Sequence, residues 1–174
     1  MLLLIFTLFL SASAQPPVSQ TDARTVGAMT DYSVALIGEG GAGPYGLHLT
    51  RRDGRVCQLR VYFQGQAPRM AEYCAGRVVS RHVEEAGLAR METQSTVTAI
   101  AACFSSDLAV AAVRLAADNG ESATAQALPC AGDYTRVSCA AGWAVQGLYL
   151  YFDGPADGRQ HRRLVGLRPL CANL

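Results

Sequence analysis

The chain has 174 residues, half of them hydrophobic and 17% charged, with a formal net charge of +1. That balance describes a folding sequence and excludes a disordered one. Near-neutral charge without a basic block argues against nucleic acid and against an anionic membrane surface as partners.

The chain opens on an apolar run, Leu2 to Leu10, followed by the small-residue triplet Ala12-Ser13-Ala14. This reads as a secretory signal peptide, residues 1–14, cut after Ala14. The run is too short to span a bilayer, which takes about 20 residues. Residues 15–24, polar and proline-bearing, are expected to be a flexible N-terminus, and residues 25–174 a single secreted or periplasmic domain. Six cysteines in an exported chain of this size imply three disulfides. They allow fifteen connectivities. Pairing within units, Cys57 with Cys74, Cys103 with Cys130 and Cys139 with Cys171, is the expectation that the hairpins described below suggest. No Cys-x-x-Cys pair or His-Cys cluster is present, so neither a metal nor another cofactor is expected.

The first apolar run is Ser33 to Ile37, and a glycine-rich turn from Gly38 to Gly43 follows it. No Gly-Lys-Ser/Thr accompanies that turn, which reads as a link between strands and not as a phosphate loop. Tyr45 to Arg51 and Arg55 to Phe63 alternate with period two and join at Asp53-Gly54, a strong hairpin signal. Leu47 and Leu49 should face inward, with His48 and Thr50 on the opposite face. A short strand is expected after Cys74. From Arg81 to Glu92, Val83, Gly87, Leu88 and Met91 fall at helical spacing, and a short helix is expected over 81–92. Thr96 to Cys103 and Ala123 to Cys130 read as strands. The segment between them, through Leu115 to Asn119-Gly120, contains both helical and strand signals; its match to the other hairpins predicts a strand.

The clearest stretch is Cys139 to Cys171. Two alternating segments, Val145 to Phe152 and Leu164 to Leu170, flank a turn-rich insert, and each holds a Gly-Leu pair, Gly147-Leu148 and Gly166-Leu167. A glycine face thus backs onto a leucine face in both strands. Similar units begin near residues 44, 110 and 145, with Cys74 to Cys103 as a diverged copy. Repeats of this size cannot bury a face alone and must pack on one another. The expected fold is all-β, a disulfide-stapled stack of short antiparallel hairpins, prism or barrel in form.

These residues carry a resemblance. The pattern Cys139-x-x-Gly142-x-x-Val145-x-Gly147-Leu148-x-Leu150, an acidic turn, then Val165-Gly166-Leu167 and a closing Cys171 resembles the vitelline membrane outer layer protein I family and, more broadly, β-prism proteins. The resemblance implies a secreted three-sheet prism with disulfides, associated with extracellular coats and with sugars. Thr98 to Cys103, Asp107, Leu128-Pro129-Cys130 and Cys139 to Trp143 resemble the middle of a trypsin-like serine protease. Ala102 stands where that family's histidine belongs and no nucleophile block is present, so a working triad is not expected.

No catalytic residue is expected. Asp53, Asp118 and Asp153 stand in equivalent turns, where aspartate caps the backbone. The candidate ligand-binding residues are Tyr149 and Tyr151, expected outward beside inward Leu148, Leu150 and Phe152, together with Trp143, His48 and Arg162. The sequence therefore points to a non-catalytic domain that binds a glycan or a protein surface, with no membrane insertion; it names no oligomeric state. The alternatives are a hydrolase or degenerate protease remnant, and a structural coat protein.

Overall fold

The computed structural model describes residues 24–74, 84–154 and 162–173. The expected signal peptide, the N-terminus up to residue 23 and the short strand after Cys74 lie outside them. Among the described residues the strands run β1 (Val26–Gly27), β2 (Ser33–Ile37), β3 (Pro44–Arg52), β4 (Arg55–Phe63), β5 (Arg69–Glu72) and β6 (Glu84–Arg90). They continue as β7 (Val97–Phe104), β8 (Val110–Ala117), β9 (Ser122–Gln126), β10 (Thr135–Ser138), β11 (Trp143–Asp153) and β12 (Arg163–Asn173). The only helical element among these residues is a 3-10 turn at Glu39–Gly41.

The strands form three four-stranded antiparallel sheets, ordered β1-β12-β11-β2, β5-β4-β3-β6 and β9-β8-β7-β10. Each has a long central hairpin, flanked by one short strand on each side. Alternation sends one face of each hairpin to a shared interior. Leu47, Leu49, Leu59 and Val61 come from the second sheet, Ile100, Val113 and Leu115 from the third, and Leu148, Leu150, Phe152, Leu164 and Leu167 from the first. The all-β expectation holds, with three sheets closing a three-sided prism around one core.

The repeat is real, but its phase differs in the middle unit. The equivalent leading strands are β3, β7 and β11, so the second unit begins at Val97 and not near residue 110. β8 is the return strand of its hairpin; the Asn119-Gly120 turn that made it look like a leading strand connects it to the edge strand β9. Cys74 to Cys103 is no fourth unit, because β6 closes the second sheet and β7 opens the third.

The helix expected over 81–92 is also corrected. Residues 84–90 form β6, an edge strand paired with β3 from Gly46↔Arg90 to Arg51↔Glu84. The register shifts between His48 and Leu49, skipping Gly87. One extra residue changes the phase of a period-two pattern, and over so short a window the result imitates a helical one. Leu88 is consequently exposed while Met91 is buried in the core.

Asp53 and Gly54 make the predicted two-residue turn, both at positive φ (49° and 72°), the conformation that matches the twist of the flanking strands. The two Gly-Leu pairs divide their labour across the first sheet. Leu148 and Leu167 are fully buried, whereas a Cβ on Gly147 would meet Leu36 O at 2.4 Å and one on Gly166 would meet Ala28 O at 2.1 Å. Each glycine therefore admits the backbone of a flanking segment. The glycine-rich turn from Gly38 to Gly43 is a link between β2 and β3, and the Gln66 side-chain amide pairs with both Glu39 N and Glu39 O, at 2.9 and 2.6 Å.

The disulfides are Cys57–Cys74, Cys103–Cys130 and Cys139–Cys171, as expected. They close loops of 17, 27 and 32 residues, each contributing about 3–4 kcal/mol in the chain-entropy account. Cys139 follows β10 and Cys171 lies on β12, so the third bond ties the third sheet to the first.

Candidate functional site

Antiparallel order puts the turns β3–β4 and β7–β8 and the paired ends of β11 and β12 at Asp153 and Arg163 at one end of the prism, together with the β1–β2 connection. The mouth of the β11–β12 hairpin organises this end. Arg163 donates from Nε to both carboxylate oxygens of Asp153, at 2.8 and 3.0 Å, and from Nη2 to Oδ2 at 2.9 Å. Its Nη1 reaches into the β7–β8 turn, donating to Asp107 O at 2.8 Å and Asp107 Oδ2 at 3.0 Å. The Ser105 hydroxyl bond, ahead of Arg163 and against a smaller opposing effect of burial, holds the Asp107 carboxyl below its ordinary range. Arg163 is in turn raised, chiefly by its bond to Asp153.

Beside this ion cluster lies an aromatic one. Arg162 N donates to Tyr73 O at 3.3 Å, which fixes the residue just ahead of β12 against the segment leading to Cys74. Its guanidinium carbon stands 3.4 Å from the centroid of the Tyr32 ring, and Nη1 donates to Gly154 O at 3.3 Å. Tyr32 meets Tyr73 edge-on at 6.1 Å, and Tyr73 tilts against Phe152 at 4.6 Å. The β1–β2 connection is sewn to β11: Thr30 Oγ1 donates to Phe152 O at 2.7 Å, and Phe152 N donates to Tyr32 O at 3.0 Å.

Tyr32 nonetheless remains 46% exposed. A cation so close to the centroid covers one face of the ring, and the exposed area belongs to the remainder. A ring held on one side by a guanidinium and at its edge by a second tyrosine is a preorganised apolar platform with a polar hydroxyl tip. Among the described residues no group of three or more His, Cys, Asp or Glu side chains is placed to hold a metal ion.

The five residues singled out from the sequence do not converge. Arg162 belongs to the end just described, although it is buried beneath Tyr32. Tyr149 lies mid-strand on the outward face of the first sheet, half-buried, with the Arg168 guanidinium 4.9 Å from its ring centroid. Tyr151 also lies on that face but is only 7% exposed, set between Ser33 and Gly166. Its expected exposure is corrected: with β2 on one side and the chain beyond β1 crossing over Gly166 on the other, little of the ring reaches solvent. Trp143 starts β11 at the opposite end, paired with Asn173, about 30 Å along the strand from Asp153. His48 is buried on the outer side of a different sheet, between Arg60 and Leu88.

Sequence reasoning missed Tyr32 and Tyr73. The one local signal was Thr30-Asp31-Tyr32, turn-forming residues with an aromatic immediately ahead of β2. Nothing in the sequence joins that triplet to Arg162.

The architecture, three antiparallel four-stranded sheets around one core, is a β-prism, and the resemblance to β-prism proteins read from the sequence is shown at the level of the fold. The sequence matches no family model and no curated protein. Solved structures do resemble it. The Calystegia sepium agglutinin matches with a TM-score of 0.58 at 10% identity, covering 88% of this chain and 98% of that one. A prostate-specific WGA16 glycoprotein lectin matches at 0.56 and 12%, covering 86% and 99%. The Calsepa lectin, solved in complex with a biantennary N-glycan, matches at 0.56 and 10%, covering 88% and 98%. At such identities the likeness is one of fold.

Proposed function

We propose that this chain is a secreted or periplasmic, non-catalytic carbohydrate-binding domain that engages a glycan on an extracellular or envelope surface. The observation that carries this reading is the half-exposed Tyr32 ring, backed by Arg162 at the end of the prism where the β1–β2 connection meets the end of β11. Sugars present flat patches of C–H groups beside hydroxyls. A fixed aromatic face with a phenolic tip suits both features. Backing by Arg162 removes rotamers that binding would otherwise have to freeze, which favours affinity from a small contact area. The β-prism fold shared with lectins, one of them holding a glycan, supports the same reading. Tyr149, beside Arg168, is a second ring open to the same chemistry on the sheet face. Kinship with the vitelline membrane outer layer protein I family is part of the proposal; the Cys139–Cys171 bond bracketing the Gly-Leu hairpin supports it. The three disulfides support an oxidising compartment.

The test is binding of the oxidised protein to a broad glycan array, with Tyr32→Ala and Tyr149→Ala as separate variants. Selective binding that Tyr32→Ala abolishes supports the site at the prism end. Loss with Tyr149→Ala alone moves the site to the sheet face. Absence of binding by a protein whose near-ultraviolet circular dichroism shows a folded core overturns the reading.

A further inference from the structure

The β7–β8 turn has a feature that the sugar platform does not use. Leu108 is 75% exposed and adopts φ +63°, a left-handed conformation that a leucine rarely enters. The turn is built to hold it there. Leu108 N donates to Ser105 O at 2.9 Å, Ser105 N donates to Ala109 O at 2.9 Å, and the Ser105 hydroxyl lies 2.5 Å from Asp107 Oδ1. Arg163 then fastens Asp107 to the head of β12. An unfavourable backbone conformation persists where the surroundings over-determine it, and here its result is an apolar side chain projected away from the protein. Met29, 66% exposed, stands next to Thr30, whose hydroxyl is tied to Phe152 beside the same mouth. These two are the most exposed large apolar side chains among the described residues, and they rise from the turns on either side of the β11–β12 mouth, at the end that carries Tyr32.

We infer that the sugar recognised at this end is carried on a lipid. Tyr32 stacks on the headgroup sugar of a glycolipid, while Leu108 and Met29 enter the apolar boundary of the surrounding membrane. This rests on the carbohydrate-binding reading and adds the class of ligand. Two exposed apolar tips are too few to hold a protein on a bilayer by themselves, and peripheral attachment takes two signals. The formal net charge of +1 supplies no electrostatic attraction, and Arg163 is matched by Asp153 and Asp107. The sugar therefore provides the second signal and the specificity. The contact is peripheral, at headgroup depth, and needs no spanning segment.

The experiment presents the array's strongest glycan in two formats: as a soluble albumin conjugate, and as a dipalmitoyl neoglycolipid in phosphatidylcholine vesicles, with sugar-free vesicles as control. The variant is Leu108→Asn with Met29→Gln; asparagine accepts the left-handed conformation, so the turn is kept. The expected result is tighter binding to the sugar-bearing vesicles than to the conjugate. The double variant should lower vesicle binding by about tenfold and leave conjugate binding within about twofold. Equal binding in both formats, or an unaffected double variant, overturns the glycolipid inference and leaves carbohydrate binding standing. Equal binding to sugar-free vesicles overturns it in favour of a plain lipid surface. No glycan bound in either format overturns both readings together.

Discussion

Arg163 joins two turns that are far apart in sequence by donating to the carbonyl and the carboxylate of Asp107 while its other nitrogens hold Asp153. Asp107 is lowered in the folded protein from an ordinary value of 3.8. The unfolded chain therefore binds the more protons in the window between the two values. The stabilisation is complete above about pH 4 and is lost as pH falls through the folded value. Arg163 is shifted upward, so its contribution is present throughout the ordinary pH range and is lost only at strongly alkaline pH, as pH rises through its folded value. Asp107 is largely exposed, and solvent screening keeps the gain under about 1 kcal/mol. In urea titrations from pH 6 to pH 2.5, the midpoint should fall at acid pH, and Asp107→Asn should flatten the last part of that fall. An unchanged slope would show that the bonds Asp107 accepts from Ser105 and Arg163 do not stabilise the turn.

The glycines of the two Gly-Leu pairs should be intolerant of any side chain. Gly147→Ala and Gly166→Ala each drive a Cβ into a backbone carbonyl, Leu36 O and Ala28 O respectively. Each should cost about 2–3 kcal/mol in chemical denaturation, because backbone atoms yield less readily than side-chain ends. Gly54→Ala meets nothing within 4 Å and bears only the cost of positive φ, about 1 kcal/mol. Equal losses at all three positions would contradict the close approach described for the first sheet.

The edge strand β6 makes a third prediction. Leu88→Ser removes an exposed side chain, 53% accessible, and should change stability by less than about 0.5 kcal/mol. Met91→Ala, in the core, should cost about 2–3 kcal/mol. On one face of a helix the two would cost alike, so thermal unfolding of both variants separates the strand from the helix.

The hairpins, and the cysteine pairing they suggested, were accessible to sequence reasoning for local reasons. Asp53-Gly54 states its turn type through two residues that tolerate positive φ. Leu148, Leu150 and Phe152 state their buried face through period-two alternation, and Cys57 and Cys103 each pair with a cysteine just beyond an edge strand of their own sheet. The edge strands β1, β5 and β10 were not read, since two to four residues carry too little pattern to register. β6 was misread because one skipped glycine changed its phase.

The cysteine pairing was one expectation among fifteen connectivities, whereas a β-domain of stacked hairpins and the inward faces of β3 and β11 are legible in the amino-acid sequence. Those properties follow from neighbours along the chain, where alternation and turn chemistry act directly. The folded arrangement alone reveals which strand leads the middle unit, that Tyr151 is covered while Tyr32 is not, and that Tyr32, Arg162, Arg163 and Asp107 share one end. Those facts depend on which turns the sheet order brings together. The chemistry of a single residue does not record how its strand will be flanked.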